Sequence, residues 1–506
     1  MDKERFIVFH SQPAKVKMES IPVLDYSTFS ALIDELLKDE ANHCLNYFVV
    51  PVSGKYKFIC CIGCDEKKSI LVFSHEQEIK ESIVLTSLTP QHFQLHIFER
   101  EIHENFGIEF SANPWMKPVR FPFNRHDRSQ VMDNYPFYSI DSEELHEVGV
   151  GPIHAGVIEP GHFRFICNGE KVLHLEIQLG YQHRGVETLF VKNESGLKNL
   201  ILAESIAGDT AVGHAVCHAA LMETLGGIEI PETLALERTL ALELERIAVH
   251  IGDTAAICTD IAYQFGQVVN EALRTIVINT TQFWCGNRFG KGLIRTGGTN
   301  YPVTPTIAAE IRKNLKDVKE RYLQIAEHIF SLSSVLSRFE GTGKVTTRQA
   351  LLIGAVGMAA RSSGVKRDTR WSHPSRGYEK LDYEPVVISK GDVWSRAMMR
   401  KLEVEKSIEM VFHLLDLLDG GVAGQKPNYL FHLEPETFVL SITEGWRGEI
   451  CHCAITGAQG EIMHYKVKDP SLHNWMALAL AVRGQEISDF PLCNKSYNLS
   501  YCGVDI

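Results

Sequence analysis

PETLALERTLALELERIAVHIGDTAAICTDIAYQF, residues 231–265, sets the fold class. It opens with Pro231, favoured in a first helical turn because its missing N–H has no partner there anyway. It then runs on without a strong breaker. Glu237, Arg238, Glu243, Glu245 and Arg246 recur at the spacing of neighbours on a helix surface. Their simplest reading is a solvated or subunit-facing surface. Downstream, AAEIRKNLKDVKERYLQIAEHIFSLSSVLSRF (308–339) and SRAMMRKLEVEKSIEMVFHLLDLL (395–418) read as two more long helices. Upstream, HFRFICNGE (162–170) and KVLHLEIQLG (171–180) carry strand signals, with Asn168-Gly169 as a hairpin turn between them. HCAITGAQGEIMHYKVKDP (452–470) is hairpin-like. Residues 145–506 are expected to form a mostly helical domain with a small β element.

Residues 1–125 read as a separate small α+β domain, with 126–144 as a linker. LDYSTFSALIDELLKDE (24–40) is helical by its apolar spacing. KYKFICCIGC (55–64) and SILVFSH (69–75) are strand-like. PWMKPVRFPFNRHDRSQ (114–130) leads out of this domain and is rich in Pro, Arg and Asn. At 506 residues, two or three domains are expected. The net charge of −12 argues against nucleic-acid binding. No run of about 18 apolar residues predicts a membrane span. The first twenty residues do not read as a secretory signal. The 12 cysteines are scattered, which with no export signal points to free thiols in a reducing cytoplasm.

Several segments carry a resemblance in fixed order. FEREIHENFGIEF (98–110) and ANPWMKPVRFP (112–122) resemble the end of the 30-kDa-type subunit of respiratory complex I. VGVGPIHAGVIEPGHFRF (148–165), LGYQHRGVETLF (179–190), LELERIAVHIGD (242–253), GAVGMAARSSGVKRDTR (354–370), the 391–408 segment and the 468–496 segment resemble the 49-kDa-type subunit and hydrogenase large subunits. Together they resemble the fused large subunits of membrane-bound nickel–iron hydrogenases of hydrogenase-4 and formate-hydrogenlyase type. The resemblance spans nearly the whole chain and implies an α+β domain of 30-kDa type followed by a 49-kDa-like domain.

In active relatives two C-x-x-C pairs hold nickel and iron, because the metals need soft thiolate donors. The first pair lies in a segment like E-R-x-C-G-x-C-x-x-x-H. Here that segment reads ESIAGDTAVGH (204–214): Glu204, Gly208 and His214 fit, Ser205 replaces the arginine, and Ala207 and Thr210 stand at the cysteine positions. The second pair aligns without gaps to Ser500 and Gly503 in SYNLSYCGVDI, with Cys502 one place out of register. Ala and Gly have no donor side chain, and neutral hydroxyls replace thiolates poorly. No nickel–iron centre is expected. Active enzymes lose a C-terminal extension on maturation; the chain runs three residues past Gly503, which fits a subunit that never matures.

The resemblance implies further site residues. His154, in Gly151-Pro152-Ile153-His154, matches a quinone-binding histidine; the position of its tyrosine partner falls near Gly208, so the resemblance implies the histidine half of a quinone site. His183 and Arg184 match residues that face an iron–sulfur cluster in a partner subunit, and Glu187 matches a proton-route glutamate. Arg361, Asp368 and Arg370 are expected in a buried ionic network coupling the subunit to membrane partners. Plainer readings stand beside these. Arg184 and Glu187 also fit a surface ion pair, and His214 fits helix packing. Cys61-Ile62-Gly63-Cys64 and Cys451-x-Cys453 fit buried structural thiols. Leu293–Pro302 is a turn without the lysine of a phosphate loop.

The expected role is a component of a membrane-bound, energy-converting complex, working in structural or proton coupling, peripheral on the cytoplasmic side of the cell membrane. Its expected partners are an iron–sulfur small subunit and antiporter-like and complex I-like membrane subunits. The alternative is an oxidoreductase that passes electrons from the small subunit to a quinone.

Overall fold

The strand-like runs of the first 125 residues pair as their β-branched and aromatic content predicts. The computed structural model describes residues 5–154, 158–193, 195–419, 421 and 424–506. Its N-terminal part comprises β1 (Ile7–Phe9), β2 (Ala14–Lys17), β3 (Val23–Leu24), α1 (Tyr26–Leu37), β4 (Asn42–Val52), β5 (Lys55–Cys64), β6 (Ser69–Glu78), β7 (Val84–Thr86), α2 (His96–Phe106) and β8 (Glu109–Ser111). Asp25 starts α1 by accepting the Thr28 N–H at 3.0 Å. The main sheet runs β1-β6-β5-β4, with β3 also on β6. Its helix-facing side packs Phe29, Ile33, Tyr47, Phe58 and Phe73 into the main core.

Between 126 and 144 there is only one short turn of 3₁₀ helix, Met132–Asn134. A second sheet follows: β9 (His146–Val150), β10 (His162–Asn168) and β11 (Lys171–Gln178), in the order β11-β10-β9. The expected hairpin is present; Asn168 pairs with Lys171, and Gly169 turns the chain with φ +56°.

Helices then dominate, as expected: α3 (Val186–Lys192), α4 (Gly196–Ala203), α5 (Ala211–Gly226), α6 (Glu232–Asp260), α7 (Gln264–Cys285), α8 (Pro305–Ser331), α9 (Ser333–Phe339), α10 (Thr347–Leu352), α11 (Gly357–Arg361), α12 (Thr369–Ser372) and α13 (Val393–Leu417). The 231–265 stretch stops as a helix at Asp260, and Ala262 turns the chain with φ +56° before α7 begins. The 308–339 stretch is broken at Leu332 into α8 and α9. None of the described helices is long and apolar enough to cross a membrane.

The chain closes with β12 (Thr437–Glu444), β13 (Glu449–Thr456), β14 (Ile462–Lys468), α14 (Ser471–Ala481) and α15 (Phe490–Tyr497). This last sheet has the order β14-β13-β12-β2. Its edge is thus a strand from residues 14–17, which carries the N-terminal segment onto the C-terminal sheet. The two sheets share an apolar layer of Leu45, Ile59 and Cys61 against Leu440, Cys451 and Cys453. Cys64, Cys451 and Cys453 are all buried; Asn46 Nδ2 lies 3.9 and 3.8 Å from the Cys451 and Cys453 sulfurs.

One expectation is overturned. Glu237, Arg238, Glu243 and Arg246 are buried rather than solvated, and Glu245 is only partly exposed. Helix α6 lies between α5, α7, α13 and α15, so its charged positions meet partners on other elements. Helical spacing of charge is the same whether the partner is water or a neighbouring guanidinium.

Candidate functional site

The two segments that resemble metal-binding loops meet in space. Arg184 and Arg447 hold them together through backbone and side-chain oxygens. Arg184 donates from Nη1 to the Ser205 carbonyl at 2.8 Å and from Nη2 to Ile206 at 3.0 Å, and reaches the Cys502 carbonyl at 3.5 Å. On the other side Arg447 grips both Asp209 oxygens at 2.6 and 2.7 Å, Thr210 Oγ1 at 3.2 Å and the Asn498 carbonyl at 2.5 Å. The planar guanidinium suits this many-sided task.

Each position between the clamps is already engaged. Ala207 is fully buried. Thr210 Oγ1 serves Arg447 and Asp209. Ser500 Oγ accepts the Gly503 N–H at 2.9 Å and lies 3.5 Å from Cys502 Sγ. A Cβ at Gly503 would fall 2.7 Å from Asp469 Oδ2 and 2.8 Å from Ser500 Oγ, so a cysteine there needs its neighbours to shift. Burial, together with nearby Glu159, pushes the Cys502 thiol up to about 11, which disfavours the thiolate that metals bind. An alanine, two engaged hydroxyls and a glycine do not fit a pair of soft metals. Among the described residues no three His, Cys, Asp or Glu side chains are arranged to hold a metal ion.

The floor beneath this pocket is polar. His214 is fully buried, with Nε2 3.1 Å from Asp469 Oδ2 and Nδ1 3.1 Å from His452 Nε2. It is therefore more than a packing residue. Glu245 accepts the N–H groups of Val212 and Gly213 at the start of α5, at 2.8 and 3.2 Å.

Glu187 does not pair with Arg184. It accepts the Val467 N–H at 2.9 Å and an ion pair from Lys466 at 3.1 Å, and Lys466 also pairs with Glu101, itself bound by Arg120. Burial pulls Glu101 upward, but Arg120 and Lys466 outweigh it and hold the carboxyl low, at about 2. Glu101, Arg120 and Glu187 line a cavity of about 400 Å³, together with His183, His464, Tyr465 and Ile506. His183 is pushed down to about 4 by burial and by Arg120. His154 stands apart: its Nε2 lies 3.1 Å from the Gly161 carbonyl. Residues 155–157 of its loop lie outside the described residues. A Cβ at Gly208 would meet nothing within 4 Å.

Arg361, Asp368 and Arg370 do form a buried network, and it is larger than expected. Arg361 Nη1 binds Glu403 at 2.5 Å; Arg370 binds Asp368 at 3.0 and 2.7 Å and Glu403 at 2.8 Å. Arg246 joins from α6, 3.4 Å from Glu403 and 3.3 Å from Glu243. Ser407 and Tyr378 hydroxyls complete Glu243, and Tyr383 completes Asp368. Glu444 approaches Arg361 at 3.9 Å and accepts the Thr369 N–H at 2.9 Å. Burial and the Asp368 charge push Glu444 up to about 8. This favours its neutral form, which sets three guanidinium groups against three carboxylates.

Reading the sequence alone passes over Glu101, Arg120, Lys466, Glu403, His218, His452, Tyr465 and Asp469. A usable signal exists for some. His452 sits between Cys451 and Cys453, so it faces the opposite side of β13 from them. Lys466 and Lys468 sit in a strand that is otherwise apolar at its end, which demands buried partners.

Comparison with known proteins finds similarity to subunits of respiratory and hydrogenase complexes. Residues 266–438 match the family described as respiratory-chain NADH dehydrogenase, 49 Kd subunit. Formate hydrogenlyase subunit 5 of Escherichia coli (strain K12) is 27% identical over 428 residues, 80% of this chain and 74% of that protein. Hydrogenase-4 component G of the same organism is 25% identical over 430 residues, 80% of this chain and 73% of that protein. A chain of the membrane-bound sulfane sulfur reductase, an archaeal respiratory membrane complex, shares the fold with a TM-score of 0.65 at 22% identity, over 73% of this chain and 100% of that one.

Proposed function

We propose, from the premise that this chain is a homologue of the large subunits of membrane-bound hydrogenases and of the 49-kDa-type subunit of complex I, that it is a hydrogenase-large-subunit-like component of a membrane-bound, energy-converting oxidoreductase complex. In this reading it holds no nickel–iron centre and serves structural and proton coupling. One observation carries the reading: the two ligand segments are clamped together as a site, yet the four ligand positions hold an alanine, two engaged hydroxyls and a glycine whose Cβ would displace Asp469 and Ser500. The iron–sulfur small subunit belongs against Arg184 and His183, and antiporter-like subunits anchor the assembly on the cytoplasmic face of the membrane. The test is to purify the chain with its native partners and measure nickel by elemental analysis. Nickel well under one atom per chain is expected, and stoichiometric nickel overturns the reading.

A second reading has its own support. His154 is partly exposed, and the space beside Gly208 is open. The accessible imidazole suits a quinone head group receiving electrons from a small-subunit cluster. Reduction of a short-chain quinone by the purified complex, lost on His154→Ala, would favour it; a partner without cluster cysteines would exclude it.

A further inference from the structure

Five side chains join end to end beneath the pocket. His218 Nδ1 lies 2.8 Å from the Tyr465 hydroxyl, which lies 2.8 Å from His452 Nδ1. His452 Nε2 lies 3.1 Å from His214 Nδ1, and His214 Nε2 lies 3.1 Å from Asp469 Oδ2. All five are buried. The run starts on α5, crosses β14 and β13, returns to α5 and ends at the foot of α14.

The direction of every hydrogen bond follows from the Asp469 end. Burial raises Asp469, but the His214 hydrogen bond and the Arg447 charge outweigh it and keep it low, so it is a carboxylate and can only accept. His214 therefore carries its proton on Nε2. With His214 neutral, its bare Nδ1 accepts from His452 Nε2–H. The bare His452 Nδ1 accepts from the Tyr465 hydroxyl. The Tyr465 oxygen accepts from His218 Nδ1–H. That leaves His218 Nε2 bare, and among the described residues it has no hydrogen-bond partner. Burial holds His218 down to about 3 and His452 well below its ordinary range, so both rest neutral.

We propose that His218, Tyr465, His452, His214 and Asp469 form a polarised proton relay that ends beneath Gly503. A proton from water taken up at His218 Nε2 releases the Nδ1 proton to the Tyr465 oxygen. Tyr465 passes its own proton to His452 Nδ1, and His452 passes its Nε2 proton to His214 Nδ1. One proton enters, and one positive charge arrives on His214 beside Asp469. No bond other than N–H and O–H is made or broken. Tyr465 also lines the cavity that holds Glu187, whose charge acts on it, and the charges of His214 and Arg447 act on Asp469. Phe190 stacks on Tyr465 at 4.1 Å and on His218 at 5.2 Å. The use of this relay in coupling rests on the proton-coupling reading above; its existence does not.

The test is nitrogen-15 NMR on the full chain with labelled histidine, which reads the protonated nitrogen of each ring and its exchange with water. Expected are Nε2–H on His214 and His452 and the less common Nδ1–H on His218. Tyr465→Phe keeps the ring stack and cuts the relay. It should return His218 to Nε2–H and slow exchange of the His214 Nε2–H by about tenfold or more. If that variant does not fold, His218→Gln removes the entry nitrogen and should slow the same exchange. A native His218 protonated on Nε2, or unchanged His214 exchange in the folded variant, overturns the proposal. Neither outcome depends on nickel content, so this failure is distinct from failure of the functional reading.

Discussion

Two buried polar regions sit side by side in this chain and are held in opposite ways. The clamped pocket is bound largely through carbonyl groups: Arg184 takes Ser205, Ile206 and Cys502, and Arg447 takes Asn498. Carbonyl contacts survive a change of side chain, so the pocket can keep its shape after its thiolates are gone. The ionic network around Glu403 is held mainly by side chains, with the Gly445 and Glu444 carbonyls and the Thr369 N–H at its edge. A lost side chain should therefore cost less in the first region than in the second.

The largest effect should therefore fall in the network. Arg370→Ala strands Asp368 and loosens Glu403 inside the protein. Breaking a buried pair from one side costs about 3–5 kcal/mol, so urea denaturation should show a loss of that size or no folded protein at all. A loss under about 1 kcal/mol, the scale of an exposed pair, would erase the contrast between the two regions.

The next effect is one of pH. Glu444 has a folded-state value of about 8 against an ordinary 4.5. A carboxyl raised on folding is penalised once the unfolded chain can ionise. Its stabilising share is complete below 4.5 and is lost as pH rises through about 8. Glu444→Gln mimics the neutral form and can still accept the Thr369 N–H. Melting curves of the variant should lie above those of the parent by a growing margin from pH 5 to 8. Parallel curves would mean that Glu444 is ionised and the network carries four carboxylates against three guanidinium groups.

How much of this was legible follows the same division. The pocket could be read because its two segments keep recognisable neighbours, such as Glu204, Gly208 and His214, so the positions 207, 210, 500 and 503 could be located before any coordinates. The folded chain brings them together. Arg361, Asp368 and Arg370 were legible through the resemblance, as a charged segment near the family's cavity. Their partners were not, because Glu403, Glu243 and Arg246 lie on helices whose charge spacing equally fits a wet surface. Helix α7 was also hard to single out: Val268, Val269, Ile276, Val277 and Ile278 are β-branched, and packing against α6 and α8 overrides that preference. The relay was invisible, because hydrogen-bond chains between distant strands leave no spacing in a sequence.

A third prediction tests the pocket directly. Gly503→Cys puts a side chain 2.7 Å from Asp469 Oδ2. Forcing atoms into a packed site costs about 1–3 kcal/mol. The quadruple variant Ala207→Cys, Thr210→Cys, Ser500→Cys and Gly503→Cys should thus be less stable than the parent and still retain no nickel after gel filtration. Retention of nickel would show that the pocket is only short of donors and not of space.

The smallest effect separates a ligand remnant from a structural hydroxyl. Ser500 Oγ accepts the Gly503 N–H, while the Ser500 carbonyl takes the Trp475 indole and its N–H goes to Ser471. Ser500→Ala leaves those backbone bonds intact and strands only the Gly503 N–H, which should cost about 1 kcal/mol. Ser500→Cys offers sulfur, a weak acceptor, in nearly the same volume, so its stability should fall between serine and alanine. If the hydroxyl were a spent metal position with no work left, all three residues would melt together. The ordering serine, cysteine, alanine would instead mean that this position has passed from binding a metal to closing the C-terminal turn.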